Sequence, residues 1–100
     1  MKSSVAIQVE PQGLKTEEEI IAVVDAVIDY IKSTGLNYYV GPYETAIEGD
    51  DYDELMEIIK ECQHVAIRAG AVGVSAFIRV VYEPEGEVLT IDQKVTKHHK

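Results

Sequence analysis

Hydrophobic and polar positions change period several times along the chain, and each change marks an element. Residues 4–9 alternate, with Val5, Ile7 and Val9 on one face and Ser4, Ala6 and Gln8 on the other, which is the period of a half-buried strand. Glu10-Pro11-Gln12-Gly13 is expected to end it, because proline lacks a ladder donor and glycine permits a turn. From Ile20 the apolar residues Val23, Val24, Val27, Ile28 and Ile31 recur at helical spacing, which predicts an amphipathic helix stopped at Gly35. Thr16-Glu17-Glu18-Glu19 starts it as a capping box, with the carboxylates on the positive end of the helix dipole. The many β-branched residues weaken intrinsic helix propensity, so packing on a sheet must hold this helix.

Two short strands follow over residues 36–40 and 43–48, joined at Gly41-Pro42, with Tyr38 and Tyr39 pointing to opposite faces. Asp51 and Glu54 repeat the capping pattern, and Leu55, Ile58, Ile59, Cys62, Val65, Ala66 and Ala69 form a second helical stripe closed by Gly70. Residues 73–83 alternate again, with Val74, Ala76, Ile78, Val80 and Tyr82 opposite Ser75, Phe77, Arg79 and Val81. Beyond the turn Glu83-Pro84-Glu85-Gly86-Glu87, a last alternation over residues 88–93 predicts a final strand that pairs back on the preceding one.

Strand, helix, strand, strand, helix, strand is the order of a ferredoxin-like α+β domain. It implies one antiparallel sheet with both helices on one face, here with an extra C-terminal strand. No linker or repeat divides residues 1–100. The other sheet face, carrying Ala6, Ala46, Phe77 and Val81, would have no cover from its own chain, so a homo-oligomer through it is expected, a dimer or a dimer of dimers. Arg79 lies on that face and would need a carboxylate partner, for which Glu44 and Glu48 are the candidates.

Composition narrows the partners. Eighteen acidic residues against nine basic ones give a net charge of −9 and leave no broad basic face for a nucleic acid. A small cationic ligand would be attracted. No apolar run approaches the ~20 residues of a membrane span, and residues 1–4 lead straight into the first strand, so no membrane partner and a cytoplasmic location are expected. Cys62, the single cysteine, falls in the second helical stripe and reads as a packed core thiol. His64 sits on a mixed helix face. His98 and His99 are adjacent in a polar tail, where they point different ways, and no metal site is expected. Helix capping accounts for Asp50, Asp51, Asp53 and Glu54, and no phosphate loop or nucleophile–base pairing is present, so neither catalysis nor a cofactor is expected.

Three segments carry a resemblance: Val5-Ala6-Ile7-Gln8-Val9, Tyr43-Glu44-Thr45-Ala46-Ile47-Glu48-Gly49 and Lys94-Val95. With the strand order between them, the chain resembles the small thiamine-binding protein family, the YkoF-like group, over nearly its whole length. The most specific element is the Thr-x-x-Glu-Gly spacing of Thr45, Glu48 and Gly49. The resemblance implies an oligomeric, cytoplasmic, ferredoxin-like protein, of a group in which some members bind thiamine or its pyrimidine portion without transforming it. Such a ligand asks for an acceptor for an exocyclic amine, a hydroxyl or amide for ring nitrogens, an aromatic face and negative potential. On that reading Gln8, Tyr38, Tyr43, Thr45 and Glu48 are the candidate ligand-binding residues, with Tyr39 a further aromatic. Residues 45 and 48 face opposite sides of a regular strand, so one pocket takes both only if the chain bulges or turns near Gly49. The alternative is an oligomerising module with no small ligand, in which the same residues serve a subunit interface.

Overall fold

The computed structural model describes residues 1–98, and up to Tyr82 each predicted run becomes the element its period indicates. The order is β1 (Ser3–Gln12), α1 (Glu17–Ser33), β2 (Asn37–Val40), β3 (Thr45–Gly49), α2 (Tyr52–Arg68), β4 (Gly73–Tyr82) and a short α3 (Ile91–Val95). The caps work as their residue types dictate: Thr16 Oγ1 accepts from the Glu19 N–H at 3.1 Å, and Asp51 Oδ1 accepts from the Glu54 N–H at 3.1 Å. Gly35, at φ +77°, provides the left-handed exit from α1.

The strands form one antiparallel sheet in the order β2-β3-β1-β4. Val5 and Ile7 of β1 and Ile47 of β3 pack against Val23, Val27 and Ile31 of α1 and Leu55, Ile58, Ile59, Cys62 and Ala66 of α2. Ile31 and Leu55 are fully buried, each side chain contributing about 1.5–3 kcal/mol by leaving water. Their place on the stripes explains why helices rich in β-branched residues hold.

Two elements differ from expectation. β1 does not stop at Pro11 but runs to Gln12, pairing with β4 throughout, whereas its pairing with β3 ends at Ile7 opposite Thr45. The Glu83 N–H donates to the Lys2 carbonyl at 2.8 Å. In an antiparallel ladder that bond turns the even-numbered residues of β1 toward β4 and the odd-numbered ones toward β3. Pro11 therefore directs its missing donor to the side where β3 has already ended, and the strand continues past it at no cost in ladder bonds.

The second difference is a correction. No extra C-terminal strand forms over residues 88–93; α3 takes its place. Thr90 Oγ1 accepts from the Gln93 N–H at 3.0 Å and Gln93 Oε1 accepts from the Thr90 N–H at 2.8 Å, a complete capping box that outweighs a short alternation. Val88 and Ile91 are buried by this return of the chain. α3 seats against β3 on the face away from α1 and α2, so that face is partly covered by its own chain, not wholly open. Among the described residues no helix is long and apolar enough to cross a membrane.

Candidate functional site

The early end of β3 leaves a notch in the sheet. Among the described residues β1 has a strand neighbour beyond Ile7 only on the β4 side, and the N–H and C=O of Val9 face the vacated side without a backbone partner there. Beside the notch the β2–β3 hairpin closes with the Gly41 N–H donating to the Glu44 carbonyl at 2.9 Å, which leaves Pro42 and Tyr43 at its tip. Gly41 is required there, because a Cβ at this position would lie 2.9 Å from the Glu44 carbonyl oxygen.

Notch, hairpin tip and α1 together enclose a cavity of about 110 Å³. Its apolar wall comes from Val24, Val27, Ile28 and Ile31, and its polar groups from Gln8, Tyr43, Glu44 and Thr45. Thr45 is only 7% exposed, yet its hydroxyl makes no hydrogen bond among the described residues, and neither do the Gln8 amide and the Tyr43 phenol. Tyr43 is 79% exposed and stands at the mouth. The site thus pairs an apolar floor with several polar groups that have no partner among the described residues, an arrangement suited to a small planar polar ligand.

Of the residues singled out in the sequence, Gln8, Tyr43 and Thr45 come together here, while Tyr38 and Glu48 do not. Tyr38 pairs with Ile47 and packs half-buried against the core. Glu48 is 4% exposed on the other sheet face, where Oε1 accepts from Asn37 Nδ2 and Oε2 from the Ile91 N–H, both at 2.7 Å. β3 keeps a regular register from Thr45 to Gly49, so nothing turns Glu48 toward the cavity. Its carboxylate anchors α3. The expectation that Glu48 pairs with Arg79 is corrected by the same contacts: Arg79 forms no ion pair among the described residues.

Comparison with known proteins adds the lineage. The family described as "Thiamine-binding protein" matches residues 5–99. The chain belongs to that thiamine-binding protein family. It is 39% identical over 95 residues to a UPF0045 protein of Clostridium perfringens, with 95% of each covered. Among solved structures, a domain of unknown function from Bacillus cereus superposes with a TM-score of 0.84 at 34% identity, over 97% of this chain and 89% of that one. A Thermotoga maritima protein provisionally assigned to thiamine biosynthesis or salvage superposes with a TM-score of 0.81 at 31% identity, over 98% and 99% of the two chains.

In this member of the thiamine-binding family the α1 wall and Glu44 escaped the sequence reading. Val24 and Ile28 lie on the flank of the core stripe, and only the notch beside them turns that flank into a cavity wall. Cys62 is a core residue: burial pushes its thiol up to about 12, so it stays protonated and unreactive at neutral pH. His99 lies outside the described residues.

Proposed function

We propose that this protein is a non-catalytic binding protein for the aminopyrimidine portion of thiamine, held in the cavity beside the β3 notch. The observation that carries the reading is an apolar cavity of about 110 Å³ bordered by Thr45, whose hydroxyl makes no hydrogen bond among the described residues, in a chain of the thiamine-binding family. That volume is below the ~300 Å³ of a pocket for a drug-sized ligand, so it suits one six-membered ring and leaves a second ring outside.

The edge of Val9 offers an N–H and a C=O side by side, the complement of a ring nitrogen next to an exocyclic amine. Thr45 supplies a hydroxyl, Gln8 lines the wall, and Tyr43 gives an aromatic face that folds over the ring. A cationic thiazolium then lies at the mouth beside Glu44, which attracts it and repels the anionic tail of a diphosphate. Titration calorimetry with thiamine, its diphosphate and the free aminopyrimidine tests this. Thiamine and the pyrimidine should bind and the diphosphate should bind more weakly; no heat with any of them at millimolar ligand contradicts the proposal.

A homo-oligomer belongs to the same reading, at a relocated surface. β4 is a ten-residue edge strand without lysine or proline, and Phe77 (62% exposed), Ile78, Val80 and Tyr82 leave apolar surface on both its faces. A second copy pairing antiparallel along this edge satisfies its backbone groups about a two-fold axis. Sedimentation velocity checks it, and an 11.1 kDa species at micromolar concentration contradicts it.

A further inference from the structure

The sheet face opposite the notch carries a second and larger concavity, of about 260 Å³, bounded by β1, β3, β4 and α3. Two cations reach it, Arg79 from β4 and Lys94 from α3. Neither side chain has an ion pair or hydrogen bond among the described residues, although acids outnumber bases two to one in this chain. Ser4 lines the same space, is 7% exposed, and its hydroxyl has no hydrogen-bond partner there. Ala6 and Ala46 keep the floor low between these donors.

A guanidinium fork, an ammonium and a hydroxyl border one space, and although the Glu44 carboxylate borders it too, neither cation pairs with it among the described residues. We propose that this concavity is a binding site for a small phosphate monoester, its phosphoryl group held by Arg79 and Lys94 with Ser4 donating from the floor. The volume exceeds what an inorganic anion fills, so the organic portion is accommodated as well. Glu44 also borders this concavity, and it is the one residue shared with the cavity on the notch side. Its carboxylate opposes an anion here, and it is exposed and forms no ion pair among the described residues.

The anion site stands independently of the pyrimidine reading, and its test uses different ligands. Inorganic phosphate and glycerol phosphate are titrated into the full chain at low salt, followed by amide chemical shifts. Saturable shifts at Ser4, Ala46 and Arg79 are expected, with glycerol phosphate the tighter ligand. Arg79→Gln should weaken it about tenfold, as loss of a bidentate charged contact does. Lys94→Gln should weaken it about threefold, and Glu44→Gln should strengthen it about twofold. Both basic residues are exposed, so thermal unfolding of these variants should match the parent and separates lost binding from lost fold. Two results overturn the proposal. One is the absence of saturable shifts, or shifts that Arg79→Gln leaves unchanged. The other is a lack of phosphate binding together with a change in sedimentation on Arg79→Gln, which means that carboxylates of a second copy fill the site.

Discussion

Thr45 and Glu48 occupy the same five-residue strand and are both buried, but they face opposite sides of the sheet and live in opposite circumstances. Glu48 has each carboxylate oxygen engaged, one by Asn37 and one by the amide that opens α3. The Thr45 hydroxyl makes no hydrogen bond among the described residues and borders a cavity. Burial alone therefore says little about function. A buried polar group with all its partners inside the chain reports on the fold, whereas one left without partners beside a cavity reports on what the chain is built to meet.

The largest effect that should separate the two ends is on stability. Glu48→Gln sets a donor amide against donors already aimed at it, so urea denaturation should show a loss of about 3 kcal/mol, with aminopyrimidine affinity of the folded fraction unchanged. A variant as stable as the parent would remove the anchoring role. Thr45→Val keeps the shape and deletes the hydroxyl. It should cost about 1–2 kcal/mol in pyrimidine binding by calorimetry and stay within about 0.5 kcal/mol of the parent in urea. Tyr43→Ala, at the exposed hairpin tip, should lower affinity by about 1 kcal/mol through lost stacking and leave the unfolding curve unmoved.

Cys62 supplies a ruler common to all these variants. Its thiol is protonated up to about 12 in the fold against 9.0 for the free group, so labelling at pH 8 requires opening of the core. Labelling should accelerate in Glu48→Gln and not in Thr45→Val. The same shift predicts a stability loss confined to alkaline pH. The unfolded thiol ionises from about pH 9 and the folded one only near 12, so the unfolded state sheds its proton first and stability falls as pH rises through that window, with no contribution below it.

The strand and helix periods, the Thr16 and Asp51 caps and the core stripe were legible in the sequence because each is a local pattern. The tail was misread for a physical reason: Val88 to Gln93 satisfies an alternation and also carries Thr90-x-x-Gln93, the same capping signature that starts α1 in another guise. Over so few residues the cap decides, since its two hydrogen bonds are local and a new edge strand would need a neighbour. The parity of Thr45 and Glu48 was also legible, and it argued against a shared pocket. What no local pattern could reveal was the partner of Glu48, an amide far along the chain, or the notch, which exists because two strands end at different places. Of the two carboxylates expected to meet Arg79, Glu44 and Glu48, the second is engaged by Asn37 and Ile91 instead.

An amide chemical-shift titration with the free aminopyrimidine tests the division between the two ends of β3 most directly. The account predicts saturable shifts at Gln8, Val9, Tyr43 and Thr45, with Asn37, Glu48 and Ile91 unmoved. Shifts centred on Glu48 and Ile91, with the notch silent, would contradict it.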